Sequence, residues 1–283
     1  MNRDLLIKLT CLKCQRSTLE ESNRSLVCTF CGQKIPLNNG IPDFLSVFKV
    51  GKISWIERGI DGSAYDAMLS QADAYRLRRI DQPMLEYVRG EVLEIGSGTC
   101  RLAKPTEERQ ARYFGLDPVM PLLLHAQKQY GLERLVCGQG EKLPFRNGSF
   151  DCLISGFYAY RYVNPELGLS EAGRVLKKDG IFVFDLLNYW ILALRGLKRT
   201  FKTWNWSVSS EGRIDKTAEC FEFMNLTQLK KKTERAGFAI EKVISTPFIP
   251  FLNRLNKYIS KYYFRGKRTI YLGYDVIIIL RAI

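Results

Sequence analysis

The sequence predicts a doubly wound α/β fold with a mostly parallel sheet of seven strands, joined to a small N-terminal ribbon. Two observations predict it. Between residues 91 and 186, short apolar runs alternate with amphipathic stretches, an order typical of a parallel sheet with helices on both faces. Ahead of this region, two closely spaced cysteine pairs lie in a short polar segment that is too small to build its own core.

The periodicity assigns the elements in chain order. Apolar residues recur at helical spacing over residues 64–88, and Pro83 is expected to split this stretch. The predicted strands are 91–95, 113–116, 135–137, 150–155, 181–186, 238–244 and 274–280. The predicted helices that alternate with them are 101–109, 120–130, 165–176 and a helix that ends at 236.

The chain divides into three parts on composition. Residues 1–45 form the cysteine-bearing ribbon, residues 46–63 read as a glycine-containing linker, and residues 64–283 form the α/β domain. Within that domain, residues 187–225 interrupt the alternation with a tryptophan-rich, basic insertion. Residues 250–265 show the pattern of a basic amphipathic helix.

Charge is concentrated towards the end of the chain. The formal net charge is +14, and residues 191–283 contain 18 Lys and Arg against 7 Asp and Glu, a net of +11. Such a surface favours an anionic partner, either RNA or an anionic membrane surface. No apolar run is long enough for a transmembrane segment and no signal-peptide core is seen, so the expected compartment is the cytoplasm.

A glycine-rich turn follows the first strand of the alternating region. The run from Val92 to Cys100 reads Val-Leu-Glu-Ile-Gly-Ser-Gly-Thr-Cys, and its glycines allow the backbone to bend sharply and approach a ligand closely. The next strand ends at Asp117, about twenty residues beyond the glycines. A carboxylate in that position can accept hydrogen bonds from both ribose hydroxyls of a nucleoside, as it does in NAD enzymes.

Three further motifs add a family resemblance. Glu141-Lys-Leu-Pro-Phe with Ser149-Phe-Asp, Arg174-Val-Leu-Lys-Lys-Asp-Gly and Glu234-Arg-Ala-Gly-Phe together resemble class I S-adenosylmethionine-dependent methyltransferases, like those of ubiquinone and menaquinone biosynthesis. The resemblance covers residues 64–245. It implies an S-adenosylmethionine site in which Glu94, Gly96 and Gly98 contact the methionine end and Asp117 holds the ribose. It further implies that Gln139, Gly140 and Glu141 border the adenine, that Tyr65 reaches the cofactor carboxylate, and that Ser155 and Gly156 line the methyl-transfer end.

The sequence departs from that family pattern at two positions. Cys100 replaces the third glycine of the turn, and Gln139 replaces the usual adenine-facing aspartate. The carbonyl of Gln139 can still pair with an exocyclic amine. His125, the single histidine, lies on a predicted helix behind the second strand, and we expect a structural role for it.

The two cysteine pairs have the spacing of a zinc site. Cys11 and Cys14 are separated by two residues, 13 residues follow, and Cys28 and Cys31 repeat the short spacing. Four thiolates leave no open coordination position, so the zinc is expected to be structural. Residues 5–45, with Ile-Pro-Leu-Asn-Asn-Gly-Ile-Pro-Asp-Phe-Leu from residue 35, resemble the zinc-ribbon activator subunit of tRNA and protein methyltransferases, which implies a ribbon docked beside the catalytic domain.

The methyl acceptor is less constrained than the cofactor. Tyr158, Tyr160, Arg161 and Tyr162 follow the fourth strand, where their polar groups could orient an acceptor. The run that starts at Ser155 lacks the Asn/Asp-Pro-Pro-aromatic signature of adenine amino methylation. The leading hypothesis is a methyltransferase acting on a small molecule, either apolar or a specialised metabolite. An rRNA or tRNA methyltransferase, and a zinc-ribbon binding module with a vestigial cofactor fold, remain alternatives.

Overall fold

The computed structural model describes residues 1–48, 61–71, 74–187, 226–247, 264–265 and 273–283. The predicted insertion at 187–225 and the predicted helix at 250–265 therefore lie almost entirely outside the described residues. Residues 264 and 265 form part of a strand, so the helix does not extend to them. Among the described residues, no helix is both long and apolar enough to cross a membrane.

The main sheet confirms the predicted α/β class. Its strands, in chain order, are β5 (Glu91–Ile95), β6 (Arg112–Asp117), β7 (Leu135–Cys137), β8 (Phe150–Ser155), β9 (Leu176–Leu187), β10 (Phe238–Pro247), β11 (Phe264–Arg265) and β12 (Gly273–Ala282). Their spatial order is β11-β10-β12-β9-β8-β5-β6-β7. The pairs from β9 through β7 are parallel. Because β12 is antiparallel to both β9 and β10, β10 runs in the common direction, and the seven long strands are mostly parallel.

Helices cover both faces of this sheet. They are α1 (Arg3–Leu6), α2 (Gly62–Gln71), α3 (Ala74–Leu85), α4 (Ala103–Glu107), α5 (Met120–Tyr130), α6 (Pro165–Val175) and α7 (Leu226–Arg235). Alternate residues of β9 point to opposite faces: Phe182 packs in the cluster that includes residues of α6 and α7, and Val183 packs in the cluster that includes residues of α3. This two-sided burial is what the continuous apolar strands predict.

Local sequence explains where several helices begin and end. The side chain of Asn164 accepts hydrogen bonds from the backbone N–H groups of Glu166 and Leu167, and Pro165 occupies the first turn of α6. Helix α5 ends at Gly131, which adopts a left-handed conformation with φ of 66°. Such caps are local, so sequence predicts these boundaries to within a residue.

Three predicted boundaries need correction. Pro83 lies inside α3, which continues to Leu85, so the helix tolerates the proline at the cost of one backbone hydrogen bond. Helix α4 is only five residues long, within the predicted 101–109. Strand β9 begins at Leu176, which pairs with Phe150 before a register shift, and Ile181 then resumes the ladder opposite Cys152. Residues 177–180, between the predicted helix and the predicted strand, therefore belong to an irregular part of β9.

The N-terminal ribbon is a small antiparallel sheet that packs against the main domain. Its strands are β1 (Leu19–Ser22), β2 (Ser25–Cys28), β3 (Lys34–Asn38) and β4 (Ile41–Pro42). The backbone N–H of Thr10 donates to the carbonyl of Pro144 at 3.0 Å, and that of Arg146 donates to Lys8 at 2.8 Å. The N–H of Phe44 donates to Cys137 at 3.0 Å, which extends the edge of β7. Ribbon residues share one hydrophobic core with the main domain.

Helix α2 starts earlier than the pattern predicts. It begins at Gly62, inside the stretch predicted as linker and two residues before the predicted start of the α/β domain. The side chain of Asp61 accepts a hydrogen bond from the backbone N–H of Ala64 at 2.8 Å, which is the geometry of an N-cap. Most of the predicted linker, residues 49–60, lies outside the described residues.

Candidate active site

The glycine turn after β5, called the cradle below, lies at the carboxyl end of the sheet. The backbone N–H groups of Gly96 and Ser97 donate to the carbonyl of Leu116 at 2.8 and 3.0 Å, which fixes the turn against β6. Gly96 has φ of +76° and Gly98 has φ of +54°. A Cβ on Gly98 would lie 3.2 Å from the ring of Tyr65. A side chain at Gly98 would therefore be strained and would fill the cradle.

Asp117 holds this turn from the end of β6. Its Oδ2 accepts a hydrogen bond from the backbone N–H of Gly98, and its Oδ1 accepts one from Val119, both at 2.8 Å. Burial raises the pKa of Asp117 to about 6, although these two hydrogen bonds oppose the shift. Each carboxylate oxygen retains a lone pair for a ligand hydroxyl. The predicted acid and the predicted glycines are thus in direct contact.

Glu94 lies beneath the turn as a buried carboxylate. The hydroxyl of Tyr113 donates a short hydrogen bond to it. Burial raises the pKa of Glu94 to about 8, against the opposing effects of Tyr113 and the nearby Arg101. A carboxylate with a raised pKa in a crevice is typical of a functional site, because a bound cation would compensate its charge.

The loop after β7 forms the next wall of the crevice. Gln139 and Gly140 are buried, and a Cβ on Gly140 would approach Val163 to 2.9 Å. The Oε1 of Glu141 accepts a hydrogen bond from the backbone N–H of Asn164 at 2.9 Å, which ties the loop to the start of α6. Glu141 therefore has a visible structural contact in addition to any contact with a ligand.

The other side of the crevice begins where β8 ends. The hydroxyl of Ser155 donates to the carbonyl of Ile95 at 2.7 Å, so its side chain links β8 to β5. A Cβ on Gly156 would lie within 3.3 to 3.5 Å of side-chain atoms of Leu102, Arg101 and Met84. The predicted residues from β5, β6 and β8 therefore meet at the carboxyl ends of these strands, where parallel α/β folds bind ligands.

Comparison with known proteins assigns this arrangement to a family. Residues 93–184 match the family model described as a methyltransferase domain. A solved S-adenosylmethionine-dependent methyltransferase of Thermotoga maritima, described as a possible histamine N-methyltransferase, superposes with a TM-score of 0.52 at 22% identity, over 80% of this chain and 97% of that one. Residues 93–184 therefore form a methyltransferase domain, and the superposition shows that the chain shares the fold of that solved methyltransferase.

Curated relatives of the methyltransferase are distant. An uncharacterized protein of Methanocaldococcus jannaschii is 28% identical over 193 residues, which are 65% of this chain and 74% of that protein. The malonyl-[acyl-carrier protein] O-methyltransferase of Geobacter sulfurreducens is 30% identical over 52% of this chain and 55% of its own length. The chain thus spans little more than half of that second relative. A structure from the complex of the Haloferax volcanii methyltransferase activator with a methyltransferase has a TM-score of 0.55 at 16% identity, over 82% of this chain and 99% of that one, and shows the same fold.

Two buried carboxylates that sequence analysis missed hold the methyltransferase backbone after β8. Phe157 and Tyr158 both have positive φ, 55° and 61°. The backbone N–H of Tyr158 donates to both carboxylate oxygens of Asp185 at 3.0 and 3.1 Å, and its hydroxyl donates a short hydrogen bond to Asp275. The hydroxyl of Thr246 donates to Asp275 at 3.0 Å. The sequence did contain a signal for these residues: Asp185 and Asp275 each adjoin an apolar strand. An aspartate is rarely fully buried unless it is paired.

The predicted acceptor-orienting residues occupy different environments. Tyr158 lies at the end of β8 and contacts the buried carboxylates. Tyr160 is fully buried, with its ring 4.8 Å from that of Phe184, so it is part of the core. The guanidinium of Arg161 lies 4.6 Å from the ring centre of Tyr162, which is 47% exposed. Tyr158 is thus linked by hydrogen bonds to the buried carboxyl groups of Asp185 in β9 and Asp275 in β12.

The four predicted zinc ligands form one cluster in the ribbon. The Sγ atoms of Cys11, Cys14, Cys28 and Cys31 all lie within 4.8 Å of one another. The Cys11 and Cys31 sulfurs are 3.7 Å apart, and the Cys14 and Cys28 sulfurs are 3.6 Å apart. Zn–S bonds of about 2.3 Å in a tetrahedron place the sulfurs about 3.8 Å apart. The cluster therefore fits a zinc ribbon.

Proposed function

We propose that this methyltransferase transfers the methyl group of S-adenosylmethionine to a small-molecule acceptor, either apolar or a specialised metabolite. The observation that carries the cofactor assignment is the contact between the Gly98 N–H and the Asp117 carboxylate at the tips of β5 and β6. The residues proposed to hold the cofactor are Tyr65, Glu94, Gly96, Gly98, Asp117, Gln139, Gly140, Glu141, Ser155 and Gly156. The bound cofactor supplies a methyl group activated by a sulfonium.

The glycine cradle fits this cofactor. A Cβ on Gly96 would lie 2.5 Å from Ala159, and one on Gly98 would lie 3.2 Å from the ring of Tyr65, so glycine at both positions lets Ala159 and Tyr65 pack directly on the turn. Asp117 offers acceptor capacity for ribose hydroxyls beside that turn. Glu94 offers a negative charge for the cationic methionine portion of the cofactor, and its raised pKa shows that this charge is poorly compensated without one.

Buried carboxyl groups and one ion pair lie around the described part of the methyl-transfer end. Asp185 and Asp275 are fully buried there. Arg101 forms an ion pair with Asp81. Burial would lower the pKa of Arg101, but the carboxylates of Asp81, Glu94 and Asp185 raise it. Burial raises the pKa of Asp185 to about 8, so this buried carboxyl is largely neutral, whereas nucleic-acid phosphates are bound mainly by Lys and Arg.

The names of the curated relatives agree with a small or carrier-bound acceptor. One relative is named for the malonyl group of an acyl-carrier protein, and a relative from Thermotoga maritima, 27% identical over 39% of this chain, is named for demethylmenaquinone. These names differ in the acceptor molecule. They support the acceptor class and leave its identity to experiment.

A label-transfer experiment tests the acceptor class. The full chain is incubated with S-adenosylmethionine carrying a tritiated methyl group and with either the small-molecule fraction or the total RNA of bacterial cells. We expect label in an extractable small molecule. Label in RNA would contradict the proposal and support the RNA methyltransferase reading, whose basic segments lie mostly outside the described residues.

A measurement of cofactor binding separates the two methyltransferase hypotheses from the hypothesis of a zinc-ribbon module with a vestigial cofactor fold. A chain that binds neither S-adenosylmethionine nor S-adenosylhomocysteine would be a zinc-ribbon module. The Gly98→Val variant serves as the matched negative control for the label transfer, because it fills the cradle. Gly148→Ala is the positive control, because Gly148 also has positive φ (+60°) and has open space around it.

We also propose that the four ribbon cysteines hold a structural zinc ion. The protein sulfurs would occupy all four tetrahedral positions, so no site is left for water or substrate. A reducing compartment such as the cytoplasm would keep these thiols available for the metal. The bound metal would stabilise a segment whose hydrophobic residues are shared with the main domain. Metal analysis of the purified chain should give about one zinc per chain.

A further inference from the structure

A single carboxylate on α2 joins three elements that surround the cofactor cradle. The Oδ1 of Asp66 accepts a hydrogen bond from the hydroxyl of Thr99, in the glycine turn, at 2.6 Å. Its Oδ2 lies 2.8 Å from the Nε2 of His125 on α5. Both oxygens of Asp66 are therefore used for contacts between elements, and none of the motifs that define the cofactor site includes this residue.

The N-terminal end of α2 rests on the same histidine. Gly62 packs so closely on His125 that a Cβ there would lie 2.1 Å from the imidazole Cγ. The preceding Asp61 caps the helix through the backbone N–H of Ala64. Helix α2 thus has a fixed start, a close contact with α5 and one polar link to the glycine turn.

This attachment places Tyr65 over the cradle. Tyr65 precedes Asp66, and its ring and hydroxyl lie 3.2 to 3.4 Å from the position of a Cβ on Gly98. Burial raises the pKa of Tyr65, and the charges of Asp117 and Glu94 raise it further. The tyrosine is therefore close to the carboxylates that are proposed to hold the cofactor, and a ligand in the cradle would lie beneath it.

We propose that Asp66 is a positioning residue which, with Thr99 and His125, holds α2 against the glycine turn and so sets how long the cofactor remains bound. The proposal rests on the cofactor site described under Proposed function. Since Asp66 contacts the turn and not the space within it, its loss should act by letting Tyr65 move away. Release of the ligand should then accelerate more than its capture slows.

The test compares release rates of S-adenosylhomocysteine from the full chain, measured by surface plasmon resonance. We expect Asp66→Ala to increase the dissociation rate about tenfold, which corresponds to one decade in affinity when the association rate is unchanged. Asp66→Asn keeps an acceptor for Thr99 and offers an amide group to the Nε2 of His125, so it should stay within about threefold of the unmodified chain. Ser63→Ala, at an exposed position of the same helix, is the matched control.

Hydrogen exchange gives a second readout that does not depend on activity. Without ligand, the Asp66→Ala variant should exchange the amides of α2 faster, while those of β5 and β8 stay protected. If Asp66→Ala does not fold, Thr99→Val decides, because it removes only the hydroxyl that contacts Asp66. Unchanged release from every folded variant would overturn the positioning role and leave the cofactor site standing. Absence of binding to the unmodified chain would instead overturn the proposed function.

Discussion

The glycine turn and the backbone after β8 border the same crevice, but they are held in different ways. Around the turn, backbone N–H groups make contacts to positions about twenty residues away: that of Gly98 donates to the carboxylate of Asp117, and that of Gly96 donates to the carbonyl of Leu116. After β8, buried side chains make them: Asp185 and Asp275 hold Tyr158 from strands 27 and 117 residues away along the chain. The cofactor side therefore depends on backbone shape and the acceptor side on long-range polar contacts.

The difference indicates how each side could change. The proposed cofactor is the same molecule whatever the acceptor, so the glycines and the carboxylate that would bind it cannot vary freely. Side-chain contacts from distant strands can be replaced one at a time without altering the sheet. We infer that the acceptor side of this methyltransferase is where specificity is set, which is common where a fold hosts many reactions.

The largest expected effect is on the cofactor side. Gly98→Val should weaken S-adenosylmethionine binding by at least about 100-fold, or about 2.8 kcal/mol, because valine opposes the positive φ and clashes with Tyr65. Isothermal titration measures the affinity, and circular dichroism checks that the fold persists. Gly148→Ala should cost about 1 kcal/mol of stability without changing the affinity. Equal binding by both variants would show that the turn is not the site.

Loss of the zinc ion should lower both the stability of the ribbon and the affinity for the cofactor. Cys28→Ser should abolish zinc binding and lower the melting temperature by about 10 °C. Because the N–H of Thr10 pairs with Pro144, in the loop beside the proposed adenine site, cofactor affinity should also fall about tenfold. Cys152→Ala, in the core of the main sheet, should retain the zinc. A zinc-free variant with normal melting and binding would argue against a structural metal.

Removal of a buried carboxylate should separate the two sides. Asp185→Ala leaves the N–H of Tyr158 without its partner, which costs about 1 to 3 kcal/mol and releases a strained backbone. Methyl transfer to the small-molecule fraction should fall about 10- to 100-fold, with cofactor affinity within about twofold. Asp185→Asn should restore most of the rate, and Lys178→Ala, exposed on the same strand, should change neither quantity. A parallel loss of cofactor binding would remove the distinction between the sides.

The smallest expected effect is a pH dependence from Glu94. Its pKa of about 8 lies above its ordinary value of 4.5, so its contribution to folding stability is present at low pH and is lost as pH rises through 8. A cationic ligand favours the carboxylate, so binding at pH 7 should release a proton and tighten about tenfold between pH 6 and 8. Titration in buffers of different ionisation enthalpy measures this proton. Glu94→Gln should bind more weakly and without proton release.

Sequence predicted the parts of the molecule that depend on local pattern. The seven long strands, the turn from Gly96 to Gly98 and the cysteine cluster follow from periodicity, backbone freedom and ligand spacing, which are properties of adjacent residues. Helix α3 was less predictable, because Pro83 is tolerated near its end.

Contacts between distant residues could not be predicted in this way. The pairing of Asp66 with His125 joins positions 59 residues apart, and nothing in either local sequence specifies the other. Tyr158 and Tyr160 both follow β8 in the same short segment, yet Tyr160 packs against Phe184 and Tyr158 contacts Asp275. The direction of a side chain in an irregular turn depends on tertiary packing. Periodicity and motif spacing in a single sequence do not predict it.

Calorimetric titration of the full chain with S-adenosylmethionine tests the central claim most directly, that the tips of β5, β6 and β8 form a cofactor site. We predict saturable binding of one ligand per chain, lost in Asp117→Ala and retained in Gly148→Ala. Absence of binding to the unmodified chain, or equal binding by the Asp117→Ala variant, would contradict it.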